Sequence, residues 1–135
     1  MADRIQFELV TPERRVLAEE VNELTMPGVE GYLGVRPGHA PLLTQLQVGE
    51  VTYRKDGKDH VLAISGGFAE VLRQRVSVLA ETAEKADEID TSRAEEAKDR
   101  AEKRLKSPDD DTNVERAQVA LARAINRLTI SRRGH

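Results

Sequence analysis

A chain of 135 residues with a formal net charge of −3 has room for one ordinary domain, or a small domain with an appendage. A third of the residues are charged without a basic excess, and the four aromatics are too few for a base-stacking surface, which argues against nucleic acid as a partner. With no cysteine there is no disulfide, thiolate chemistry or thiolate-bound metal, and no apolar run approaches the ~18 residues that suggest a membrane span.

The N-terminus, MADRIQFELV, has no apolar signal core, so a soluble protein is expected, with any membrane role coming through partners. Ile5, Phe7 and Leu9 alternate with polar neighbours at the two-residue period of a half-buried strand. The stretch Pro27–Gly49 then holds five of the nine glycines and three of the five prolines, so tight turns between short strands are expected there. Val51 and Tyr53 alternate again, Asp56-Gly57 supplies a hairpin turn, and His60–Ile64 returns. Gly66-Gly67 is expected to break the chain before Phe68–Leu72 and the alternating Val76, Val78 and Ala80.

After Glu81 the composition shifts to alanine and charge. Ala94, Ala97, Ala101 and Leu105 recur at helical spacing, as do Val114, Ala117, Leu121, Ile125 and Leu128. Between them Lys106–Asp111 breaks the period, and Thr112 with Glu115 is a candidate capping box for the second helix. The expected fold is α+β with two domains. An N-terminal antiparallel β-sandwich covers residues 1–84, and a C-terminal antiparallel two-helix hairpin covers 88–133. A contact stripe made mostly of alanine buries little apolar area, so the hairpin is expected to be marginally docked and able to reopen without unfolding the β domain.

His39, His60 and His135 are not grouped as metal ligands, and no serine sits in a G-x-S-x-G elbow. Gly57-Lys58 lacks the frame of a phosphate-binding loop. No residue is a candidate for catalysis or for metal binding. The arginines are more suggestive. Arg93, Arg100 and Arg104 share one face of the first helix, and Arg116, Arg123 and Arg127 share one face of the second. In an antiparallel hairpin Arg93, Arg100, Arg123 and Arg127 converge on one flank, an arrangement suited to a polyphosphate. The plainer reading is a solvated face, with Glu96–Arg100 and Asp99–Lys103 as ordinary surface pairs.

The run Gly31-Tyr32-Leu33-Gly34-Val35-Arg36-Pro37-Gly38-His39-Ala40-Pro41-Leu42-Leu43-Thr44 closely resembles the turn region of the epsilon subunit of bacterial F-type rotary ATP synthases. The resemblance continues through Ile64–Phe68 and the helical C-terminus, and so covers essentially the whole chain. It implies a non-catalytic central-stalk subunit of a proton- or sodium-translocating synthase. The sandwich would dock on the gamma subunit and the c-ring, with Glu30, Gly31, Tyr32, Leu33 and His39 at the rotor interface. The hairpin would lie folded, or extend toward the alpha and beta catalytic subunits and inhibit ATP hydrolysis. Residues 114–135, with five arginines against the single carboxylate of Glu115, fit such a contact.

Ile89-Asp90-Thr91-Ser92-Arg93-Ala94 matches the I/L-D-x-x-R-A pattern that marks an ATP site on the folded hairpin of some bacterial members. The resemblance implies Glu84, Ile89, Asp90, Arg93, Ala94, Arg100, Arg123 and Arg127 as ATP-binding residues. No cofactor is obligatory; ATP, with or without Mg, is a regulatory ligand. Asp90 has a second reading as a helix N-cap, and Ser92 with Glu95 offers a competing cap. The implied location is the cytoplasmic side of the bacterial plasma membrane, peripheral and held through partners. The alternative is a free-standing nucleotide-sensing module, and a third reading is a small enzyme with an unrecognised site.

Overall fold

The structure, a computed structural model, describes residues 4–133; Met1, Ala2, Asp3, Gly134 and the third histidine, His135, lie outside the described residues. The chain divides into two compact units, the first ending at Glu84 and the second beginning at Lys85.

The first unit is a sandwich built from β1 (Ile5–Val10), β2 (Arg15–Val21), β3 (Glu23–Gly28), β4 (Gly31–Val35), β5 (Leu42–Lys55), β6 (Lys58–Val71), β7 (Arg75–Ala80) and β8 (Ala83–Lys85). The order is β2-β1-β7-β6-β5-β3-β4, with β8 on β6. Strands β5 and β6 form one long antiparallel hairpin, in register from Leu42 opposite Val71 to Lys55 opposite Lys58. Asp56 and Gly57 both take positive φ at its tip, the left-handed geometry of a tight two-residue turn. Toward its open end β6 carries β7, through Gly67–Val71. Toward the tip β5 carries β3, through Thr52–Arg54. The long hairpin thereby serves both layers.

Between the layers lie the alternating inward residues, among them Phe7, Leu24, Val51, Ile64 and Val78, each at most 2 % exposed. Each large apolar side chain so buried contributes about 1.5–3 kcal/mol. The core is almost wholly aliphatic, and its aromatic pair is Phe7 edge-on to Tyr53, with centroids 5.8 Å apart.

Two features depart from the sequence expectation. The sandwich is not antiparallel throughout, because β1 runs parallel to β7. Alternation fixes which residues face inward and carries no information on strand direction. Nor does Gly66-Gly67 end a strand: β6 continues through both, at φ +103° and +138°. Glycine accepts that conformation at no steric cost, so the strand bends instead of stopping. Gly67 also allows close approach, since a Cβ there would overlap the Leu79 carbonyl oxygen.

Tyr53 is 6 % exposed and stacks on His60 with centroids 4.8 Å apart. Burial, with the Glu19 carboxylate nearby, pushes its phenol up from 10.0 to about 12. Below pH 10 the phenol is neutral in folded and unfolded chains, and its contribution to stability is complete. Between pH 10 and about 12 the unfolded chain ionises first, so on the order of 2–3 kcal/mol is lost. Urea melts at pH 9 and pH 11.5 should show this loss in the native sequence and a much smaller one in Tyr53→Phe.

The second unit begins with a 3-10 turn (Ala86–Glu88), in which the Lys85 amide donates to Glu88 Oε1 at 3.0 Å. Helix α1 (Thr91–Lys106) and helix α2 (Val114–Arg133) follow. Asp90 is the N-cap of α1, its Oδ1 accepting the Arg93 amide at 3.1 Å. The competing Ser92 cap is therefore not used. The Thr112–Glu115 capping box does not form either. Asn113 Oδ1 accepts the Arg116 amide at 3.0 Å, while the Thr112 hydroxyl donates to Asp109 Oδ1 at 2.9 Å. Asn113 is one residue nearer the helix, and its shorter reach to the third amide leaves Thr112 free to tie the loop.

The buried stripe of α2 keeps the expected Ala117 and Leu128 but takes Ala124 in place of Ile125. Ala117, Ala124 and Leu128 are buried, whereas Val114 and Ile125 are exposed. The series 117, 121, 124, 128 follows the 3.6-residue period more closely than one that includes 114 and 125.

Candidate functional site

Five of the six helical arginines of interest directly precede a buried residue: Arg93 before Ala94, Arg100 before Ala101, Arg116 before Ala117, Arg123 before Ala124 and Arg127 before Leu128, while Arg104 precedes the half-buried Leu105. A residue one step before the buried stripe sits about 100° to one side of it. Reversing the second helix and facing it toward the first brings that side onto the same flank. All five arginines therefore edge one flank of the hairpin.

Height along the hairpin separates them. Arg93 and Arg127 each lie 13 residues from the loop-side ends of their helices, so both stand about 20 Å from the loop. Arg104 and Arg116 are level with each other near the loop and line one open groove with Arg123. Arg100 stands at an intermediate height on α1.

They differ in how they are paired. Among the described residues, Arg93, Arg100, Arg104 and Arg116 form no ion pair, whereas Arg123 and Arg127 do have interactions. The expected Glu96–Arg100 and Asp99–Lys103 pairs are not made. The ion pair along α1 is Lys98–Glu102, at 3.7 Å. A helix face offers each charge two neighbours, at three and four residues, and local packing selects between them.

The remaining nucleotide candidates are not alike. Ile89 is 7 % exposed and Ala94 fully buried, so neither presents a free side chain. Asp90 is exposed, with one carboxylate oxygen engaged in the cap. Glu84 is half-buried in β8.

The rotor-interface candidates fall into two places. Glu30, Gly31 and Tyr32 are exposed at the β3–β4 turn, where Tyr32 Oη accepts the Glu50 amide at 3.1 Å. Leu33 is half-buried against the core. His39 follows the other end of β4 and shares a groove with Arg36 and Glu23. Its Nδ1 lies 2.7 Å from the Ala40 carbonyl, which fixes a donor at that nitrogen. Strand β4 thus separates His39 from the Glu30–Tyr32 turn.

The sequence reasoning missed an apolar surface. Leu43, Phe68 and Leu79 are 73 %, 53 % and 53 % exposed and line one shallow hollow of about 200 Å³. Phe68 lies opposite Leu79 on the next strand. The signal was available: Phe68 and Leu79 sit out of phase with the inward-facing Ala69, Val78 and Ala80. That parity puts an aromatic and a leucine on the outer face of the sandwich.

Residues 4–86 match the family described as ATP synthase, Delta/Epsilon chain, beta-sandwich domain, and residues 87–132 match its long alpha-helix domain. The chain is 50 % identical over 132 residues to the ATP synthase epsilon chain of Citrifermentans bemidjiense, covering 97 % of this chain and 96 % of that one. It is 48 % identical over 128 residues to the epsilon chain of Desulforamulus reducens, covering 95 % and 97 %. Among solved structures, a chain of the Euglena gracilis mitochondrial ATP synthase superposes with a TM-score of 0.78 at 29 % identity, covering 89 % of this chain and 76 % of that chain. A chain of the Tetrahymena thermophila mitochondrial enzyme shares the fold, with a TM-score of 0.56 at 14 % identity over 96 % and 94 % of the two chains. Full-length similarity of this order, with both family domains in sequence, is not a local motif match: the chain belongs to the delta/epsilon family of ATP synthase subunits, and within it to the epsilon chains.

Proposed function

We propose that the chain is a non-catalytic subunit of the central stalk of a rotary ATP synthase. Its sandwich docks on the gamma subunit and the c-ring, and its hairpin regulates ATP hydrolysis by the alpha and beta subunits. The observation that carries this reading is the exposed Leu43–Phe68–Leu79 surface, a cluster that a stable partner would cover. The Glu30–Tyr32 turn and His39 lie at opposite ends of β4, which suits them to two different neighbours in a rotor. No helix among the described residues is long and apolar enough to cross a membrane, so attachment would run through these partners, on the cytoplasmic side.

The row of arginines supports ATP as the regulatory ligand. Arg93 and Arg127 stand level on opposite helices, and one triphosphate spanning them would hold the hairpin closed. A ligand that binds the closed form better shifts the population toward it. The alternative, a free-standing nucleotide-sensing module, would keep the arginine site but leave the apolar surface without an occupant. Co-purification separates the two. An affinity-tagged chain is expected to bring down gamma and the catalytic subunits in fixed stoichiometry, whereas a free module would elute alone.

A further inference from the structure

The first unit ends in a segment that buries little apolar surface and yet is specifically clasped. Ser65 is 7 % exposed, one of two buried polar side chains among the described residues, the other being Ser131. Its hydroxyl pairs with that of Thr82, and its amide donates to the Thr82 carbonyl at 3.2 Å. One residue on, the Glu81 amide donates to the Gly66 carbonyl at 3.0 Å. These bonds sit at the bend of β6, where Gly66 and Gly67 take positive φ. They align β8, only three residues long, whose one buried side chain is the methyl group of Ala83. By contrast β7 is held by the buried Val76, Val78 and Ala80.

We propose that residues 81–85 are a releasable strap, clasped by the Ser65–Thr82 hydroxyl pair, whose opening lengthens the tether to the hairpin. A three-residue strand that buries a single methyl group opens at a lower free energy than the long ladder it lies on. Five freed residues add up to about 17 Å of reach. Opening must break the Ser65–Thr82 hydroxyl pair together with the backbone bonds that Ser65 and Glu81 make across the bend. The regulatory use of the strap rests on the hairpin reading above; the existence of the strap does not.

Amide hydrogen exchange on the full chain tests it. Thr82→Val is expected to speed exchange at residues 81–85 by about tenfold, leaving β5 and the rest of β6 unchanged. The paired Ser65→Cys and Thr82→Cys variant supplies a lock, because the touching hydroxyls place the two side chains within disulfide reach and the native sequence has no cysteine. Oxidation should suppress exchange at 81–85, and reduction should restore it. If residues 81–85 exchange as slowly as the β5–β6 ladder in every reduced form, the segment opens only with the whole domain and the strap is refuted.

A second arm reads the coupling in the assembled synthase. The oxidised double-cysteine chain should fail to inhibit ATP hydrolysis, and dithiothreitol should restore inhibition. Equal inhibition in both redox states, with hairpin deletion still relieving it, would overturn the link between strap and hairpin. A hairpin deletion without effect would count against the hairpin reading alone, and the exchange data would still decide the strap.

Discussion

A chain carrying Leu43→Glu and Phe68→Glu is expected to fold normally and to lose its place in the synthase. Both side chains are more than half exposed, so the isolated sandwich should change by no more than about 0.5 kcal/mol per site. At an interface the same carboxylates would be buried without partners. Loss of a central aromatic anchor alone typically costs about 2 kcal/mol or more, and an unpaired buried charge adds to that. The combined effect should exceed a thousandfold in affinity for the partner. Thermal melts and co-purification, run side by side, separate the two contributions. Parallel losses of stability and assembly would mean that the outer face serves the fold, and normal assembly would mean that this face is not an interface.

Arg93→Ala and Arg127→Ala should each weaken ATP binding to the isolated chain by at least about tenfold. Hydrogen bonds to a charged group contribute about 1.5–3 kcal/mol, and neither substitution removes the buried neighbour, Ala94 beside Arg93 and Leu128 beside Arg127. Lys98→Ala, on the same helix but paired with Glu102, should leave affinity unchanged. Asp90 separates its two roles by substitution. Asparagine retains the capping oxygen that accepts the Arg93 amide and removes only the charge. Weaker ATP binding by Asp90→Asn with an unaltered melt would mark a ligand contact, whereas a loss confined to Asp90→Ala, about 1 kcal/mol in stability, would mark a cap. Calorimetric titration and thermal melts read both. Unchanged affinity in both arginine variants would reduce the row to a solvated charged face.

Much of the fold was legible because its signals are local. Ile5, Phe7 and Leu9 alternate in the chain and are fully buried in β1, and Asp56-Gly57 is a turn by its own backbone preferences. What escaped was set by other segments. The parallel pairing of β1 with β7 is a fact of topology to which alternation is blind. Gly66-Gly67 resembles a terminator, but its neighbour Leu79 makes it a point of close approach within one strand. On α2 one position of the buried stripe moved, from Ile125 to Ala124, because a 3.6-residue period alternates steps of three and four that the chain does not order.

The candidate sites divide along the same line. The residue types and helical spacing of the arginines could be read directly. Of the Leu43–Phe68–Leu79 surface only the outward parity of Phe68 and Leu79 could be read; that Leu43 joins them depends on the register of three strands, which the chain does not state. Outward-facing apolar residues also look like core to any count based on composition.

Steady-state ATP hydrolysis tests most directly whether the hairpin regulates the enzyme on which the sandwich docks. Synthase assembled with the full chain would be compared with synthase carrying a chain that ends at Glu84, the boundary of the first unit. At low ATP the full chain should inhibit hydrolysis and the shortened chain should not. Raising ATP should relieve the inhibition in the first enzyme and change nothing beyond substrate saturation in the second. Equal rates from the two enzymes at every ATP concentration, with both chains fully incorporated, would contradict the account.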